Sequence, residues 1–152
     1  MTIKIKWKKL HPKAKLPQFG SDEAACFDIY SSFDGEKMNL EKSKVTAIPT
    51  GLAVEIPKGF ELQLRARSGL AFKHGVTLVN GVGTIDSDYR GEVKVLLTLL
   101  GAESLEIKNG ERICQGCLKE VVPVVHEWVN ELKDSSRGAG GFGSTGVGEL
   151  NS

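Results

Sequence analysis

The chain has few cysteines, and they are poorly placed for a disulfide framework: Cys26, Cys114 and Cys117 are the only three in 152 residues. An odd, small number excludes the cross-linked architecture of small secreted domains. Cys114-Gln-Gly-Cys117 has the spacing of a redox pair or of half a zinc site. It lacks a second ligand pair and falls in a strand-like segment rather than at a helix start, so ordinary buried or strand-face thiols are the simpler reading. No apolar run approaches the roughly 20 residues that cross a bilayer. The N-terminal stretch, residues 1–13, carries lysines with no apolar segment behind them, so a cytoplasmic location is expected rather than secretion. The formal net charge is +1. No strong overall field favours nucleic acid or an anionic membrane, and neither is expected as a partner.

Several reactive motifs are missing as well. There is no HExxH zinc helix, no Walker phosphate loop and no GxSxG nucleophile elbow. His11, His74 and His126 are far apart and lack partners at any motif spacing, so they read as surface or packing residues. Ser68 has no evident histidine base and reads as a phosphate donor or polariser rather than a nucleophile.

What remains is a pattern of short strands. The length suits one domain with a real core, and 40% hydrophobic with 26% charged residues is an ordinary balance. Residues 3–9 alternate, with Ile3, Ile5 and Trp7 on one face and Lys4, Lys6 and Lys8 on the other. Further strands are expected at Cys26–Ser31, Val45–Ile48, Leu52–Ile56, Phe60–Arg65, Val76–Val79, Glu92–Leu99, Arg112–Val122 and Val124–Val129. Asn109-Gly110 is the strongest tight-turn dipeptide. Ser68–Lys73 is the best helix candidate, with Ser68 as its cap. The pattern predicts an all-β fold: a distorted jelly-roll barrel or sandwich of short strands with one short helix.

The composition changes near the C-terminus. Residues 1–135 read as the β core, and residues 136–152 form a glycine-rich arm with little to bury. A disordered tail is the plain reading. Arg137 and Phe142 argue for more, because a linker needs neither a cation nor an aromatic. With Ser144 and Thr145 they can close over a phosphorylated ring compound, with glycine letting backbone amides reach phosphate oxygens.

Three segments can carry chemistry. Residues 80–92 hold two closely spaced aspartates, Asp86 and Asp88. Such acids bind metal, serve as a general base, or cap a turn. If the backbone is extended they share a face; a turn would part them. Arg65-Ala-Arg67-Ser68-Gly69 sets a guanidinium fork, a hydroxyl and free amides at a strand-to-helix junction, a good phosphate seat. Arg112 and Gln115 add polar groups beside a turn, and Arg112 is equally suited to an internal salt bridge.

Five blocks in order resemble the trimeric, all-β dUTP diphosphatases (dUTPases). They are residues 24–31 (AACFDIYS), 67–71 (RSGLA), 83–91 (GTIDSDYRG), 110–115 (GERICQ) and 137–146 (RGAGGFGSTG). The resemblance implies hydrolysis of dUTP to dUMP and pyrophosphate, which limits uracil in DNA and supplies dUMP for thymidylate synthesis. It implies Asp86 as the base that holds the attacking water, and Mg²⁺ held mainly by the triphosphate, with Asp28 reaching the ion through water. Asn80 and the hairpin backbone at Gly83, Thr84 and Ile85 would read uracil, and Tyr89 would pack under the deoxyribose. Arg67, Ser68, Gly69 and Gln115 would take phosphates. Arg137, Gly143, Ser144 and Thr145 would close on the outer phosphates, and Phe142 would stack on the base. Each site would draw on three subunits of a homotrimer. Cys114 departs from the family, standing where a small apolar residue is usual. Two rivals are a dCTP deaminase or bifunctional enzyme of the same fold, with Glu92 as the nearest acid, and a non-catalytic nucleotide-sensing or protein-binding module.

Overall fold

The computed structural model describes residues 2–142 and 144. Its strands are β1 (Lys6–Lys9), β2 (Gln18–Phe19), β3 (Phe27–Tyr30), β4 (Lys37–Glu41), β5 (Thr46–Glu55), β6 (Phe60–Arg65), β7 (Val76–Leu78), β8 (Gly83–Ile85), β9 (Glu92–Leu99), β10 (Ser104–Lys108) and β11 (Arg112–Glu120). A helix, α1 (Ser68–His74), joins β6 to β7. One sheet runs β1-β5-β9-β7 and a second runs β2-β3-β11-β6-β8, while β10 and β4 make a two-stranded ribbon. All of these strand pairs are antiparallel. This is the expected all-β arrangement of short strands with one short helix. No helix among the described residues is long and apolar enough to cross a membrane.

Period-two patterning builds the core. Along β9, Val93, Val95, Leu97 and Leu99 are fully buried, while Lys94 and Leu96 face outward. Each buried side chain contributes roughly 1.5–3 kcal/mol relative to exposure. Ile29, Leu62 and Leu64 come to the same core from the second sheet, and Leu40 and Ile107 come from the ribbon. The outward face of β9 forms one wall of a cleft, because the hairpin after β7 folds over it.

The elements differ from the sequence expectation in instructive ways. The segments around Pro49 and Gly51 are one strand, β5, whose pairing with β9 shifts register between Pro49 and Ala53. Groups freed by that irregularity are taken up locally: Thr50 Oγ1 donates to Val93 O at 2.7 Å, and Gly51 N–H donates to Glu92 Oε1 at 2.9 Å. Ser68 does not cap α1. It is the first helical residue, Arg67 holds the cap position in extended conformation, and no side chain caps the end. Gly75 ends the helix at φ 69°, a left-handed turn where a Cβ would also meet Gly101 Cα at 2.9 Å. Val124–Val129 is not a strand. It is exposed, with Trp128 fully so, and a strand without a neighbour leaves its ladder groups unpaired. The ribbon β4–β10 was not anticipated, because its two faces alternate over only five residues each.

Candidate active site

The hairpin between β7 and β9 is built by local hydrogen bonds. Gly81 N–H donates to Leu78 O at 3.1 Å, and Val79 N–H donates to Leu96 O at 3.0 Å. β8 then leaves β9 and pairs with β6. After β8, Tyr89 N–H donates back to Asp86 O at 3.1 Å, closing a turn over Asp86–Tyr89. Arg90 stiffens that turn by donating from one guanidinium nitrogen to Ser87 O and Tyr89 O, both at 2.8 Å. Both acids, with Ser87 and Arg90, border a wide cleft of about 850 Å³ beside the turn, but only one of them reaches the hairpin cleft. Asp86 lines a cleft of about 430 Å³, and Asp88 does not. Asn80, Gly83, Thr84, Ile85 and Tyr89 line the same cleft. The size suits a small molecule.

Glu92, expected only as the acid of the rival deaminase, and Lys94 and Leu96, not expected at all, also line the cleft. Their alternation marks them as outward-facing on β9, but no local signal says that a hairpin covers that face. Glu92 is committed to structure: it accepts the Gly51 amide and lies 3.8 Å from Lys94 Nζ. That engagement leaves it a poor candidate for managing a deamination water.

A second cluster gathers the predicted phosphate residues. Asp28 on β3 is buried, and its carboxylate accepts from Arg67 Nε at 3.1 Å and from an Arg112 guanidinium nitrogen at 3.2 Å. Arg67 also donates to Arg112 O at 3.2 Å. Arg112 is therefore the salt-bridge residue. Gln115 on β11 stands in register between Asp28 and Arg65. Ser68 and Gly69 are exposed at the start of α1. None of Asp28, Arg67, Ser68, Gly69 or Gln115 lines the hairpin cleft. One chain thus presents two separate clusters, a cleft of about 430 Å³ and a basic group around Asp28.

The described part of the arm lies outside both. Arg137 Nε donates to Gly140 O at 2.8 Å, and Arg137, Phe142 and Ser144 are exposed. Gly143 and Thr145 lie outside the described residues. His11, by contrast, is a packing residue, with Nδ1 2.9 Å from Ser32 Oγ and Nε2 3.2 Å from Asp34.

A metal would find little here alone. No three His, Cys, Asp or Glu side chains gather into a cage among the described residues. Both Asp28 oxygens already accept from guanidinium groups. Such a donor set can touch a hydrated cation but cannot enclose one. It fits Mg²⁺ only where a phosphate chain supplies most of the ligands.

Fold and cleft define an all-β protein with a small-molecule-sized cleft lined by two carboxylates, Asp86 and Glu92. The dUTPase family profile matches residues 12–146. A deoxyuridine 5'-triphosphate nucleotidohydrolase of Nautilia profundicola is 51% identical over 144 residues, covering 95% of this chain and 99% of the relative. One from Zymomonas mobilis is 49% identical over 149 residues, covering 97% and 100%. Among solved structures, the Staphylococcus bacteriophage 80alpha dUTPase with dUPNHPP superposes with a TM-score of 0.83 at 28% identity, covering 96% and 100%. A mutant dUTPase from phage phi11 of S. aureus, described with a coordinated structural Mg(II) ion, shares the fold with a TM-score of 0.74 at 21% identity, covering 84% and 97%. The chain belongs to the dUTPase family.

Proposed function

We infer that Asp86 activates the water with which this chain hydrolyses dUTP to dUMP and pyrophosphate. The observation that carries this reading is the place of Asp86 in the hairpin cleft with Asn80 and Tyr89, a cleft that Asp88 does not line. Asp86 takes a proton as the water attacks the α-phosphorus, and pyrophosphate leaves. General-base help of this kind is worth typically about 10²–10⁴-fold. Asn80 and the backbone of Gly83, Thr84 and Ile85 read the uracil edge. A cytosine there leaves buried polar groups unpaired. Tyr89 packs under the deoxyribose and rejects a 2′-hydroxyl by contact.

The cluster around Asp28 supplies charge. Arg67, with the hydroxyl of Ser68, the amide of Gly69 and the side chain of Gln115, holds phosphate oxygens. Mg²⁺ on the triphosphate would neutralise charge there, with Asp28 holding the water shell of that ion. The seat residues do not line the cleft of their own chain, and in a homotrimer they would meet the cleft of a neighbour. The exposed apolar side chains Phe72, Val125 and Trp128 favour assembly of this kind. Residues 136–152 act as an arm that closes over a neighbour's site, with Arg137, Gly143, Ser144 and Thr145 on the outer phosphates and Phe142 on the base. Fixing that segment costs about 1–2 kcal/mol per residue in backbone entropy, which nucleotide contacts must offset.

The test is pyrophosphate release from dUTP, dTTP, dCTP and UTP, with and without Mg²⁺, with ammonia measured separately. Strong preference for dUTP, dependence on the ion and no ammonia are expected. Equal turnover of the four nucleotides would overturn the substrate assignment.

A further inference from the structure

The sequence pairs Cys114 with Cys117, but the fold pairs Cys117 with Cys26. On β3 and β11 the register runs Cys114 to Ile29, Gln115 to Asp28 and Gly116 to Phe27. Cys26 is the residue just before β3, one step beyond that register on the side of Cys117, and its thiol is a hydrogen-bonding neighbour of the Cys117 thiol. Facing residues of antiparallel strands have α-carbons about 4.5–5.5 Å apart, inside the roughly 4.4–6.8 Å that a disulfide spans without backbone movement. Cys117 Sγ lies 3.5 Å from Ala25 O, which holds it beside the Cys26 segment. Burial raises the pKa of Cys26, and the neighbouring Cys117 thiol raises it further. Cys26 is partly exposed, Cys117 is buried, and both are free thiols. Cys114 lies an odd number of residues away along the strand, faces the other side and is wholly buried.

We propose that Cys26 and Cys117 are a reversible disulfide site whose oxidants are low-molecular-weight disulfides. Cys26, the accessible member, is the entry thiol. Its thiolate attacks one sulfur of the oxidant, the S–S bond breaks, and the departing thiolate takes up a proton. Cys117 then gives its proton to solvent and attacks the Cys26 sulfur, releasing the second thiol of the oxidant. Two protein thiols are oxidised and one small disulfide is reduced. The new bond ties β3 to β11 two residues along each strand from Asp28 and Gln115, next to the phosphate seat.

The experiment incubates the whole protein with oxidised glutathione, quenches with acid and N-ethylmaleimide, and maps unreduced peptides by mass. A Cys26–Cys117 linked pair, lighter by two hydrogens than its free parts, is expected. The link should survive Cys114→Ala and vanish in Cys26→Ser. Cys117→Ser should instead accumulate a glutathione adduct on Cys26. Three unoxidised thiols, under conditions that oxidise the urea-unfolded chain, would overturn the proposal. So would a wild-type adduct on Cys26 that never passes to Cys117, or chains linked to one another. None of these readouts depends on nucleotide turnover.

Discussion

Tyr89 rests on Gly91: a Cβ built at position 91 would meet the tyrosine ring at Cζ, 2.6 Å away. The same ring donates its hydroxyl to Glu92 O at 3.0 Å. The glycine is the floor that sets the height of the ring in the cleft. Gly91→Ala should lift the ring and lower kcat/KM for dUTP by roughly 10–100-fold. It should also narrow the preference for dUTP over UTP. Steady-state kinetics on both nucleotides check this. An unchanged ratio would remove Tyr89 as the sugar gate.

Asp86→Asn keeps the shape of the turn and removes the proton acceptor. Turnover should fall by about 10²–10⁴-fold, while a non-hydrolysable dUTP analogue still binds with near-normal affinity by calorimetry. Full turnover in this variant would refute the base assignment.

Arg67 and Arg112 hold the same carboxylate from differently exposed positions. Their side chains are 23% and 52% exposed, against 8% for Asp28. Arg67→Ala leaves a buried charge with only a half-exposed partner and should cost about 3 kcal/mol in urea unfolding. Arg112→Ala should cost about 1 kcal/mol or less, since solvent already screens that pair.

Burial pushes the Cys114 thiol from its ordinary value of 9.0 up to about 12. The fold holds the neutral form, whereas the unfolded chain ionises it near 9. The stability it contributes is complete below pH 9 and is lost as pH climbs toward about 12. Within that window the loss from this group approaches about 1.4 kcal/mol per pH unit. Urea midpoints between pH 8 and 11 should fall less steeply for Cys114→Ala than for the parent.

Deleting residues 136–152 should cripple turnover and leave the fold and the oligomer mass intact. Pyrophosphate release and light scattering measure the two. Unchanged turnover would end the arm-closure reading.

Strands were legible where burial repeats every second residue, as along β9 and β6. They were hard to read where pairing decides. Val124–Val129 has strand composition but no neighbouring strand to pair with. β4 and β10 stabilise each other across long sequence separation, which no local window detects. At the site, Asp86 and Asp88 stood out as candidate acids within one short segment, residues 80–92, whereas Asn80 and Tyr89 entered only through the family resemblance. Lys94 and Leu96 were not readable, since an outward-facing position becomes a wall only when another segment covers it. Arg112 was undecided in the sequence because its partner, Asp28, lies on a different strand.

The proposed meeting of one chain's hairpin cleft with a neighbour's Asp28–Arg67 seat would have a genetic meaning. A chain damaged only in the hairpin and a chain damaged only in the arginine seat would each be dead by themselves. Co-expressed, they would assemble into mixed particles, in which an intact cleft of one meets an intact seat of the other. Two null alleles would then complement, and a single defective allele would poison more sites than its own share of the chains.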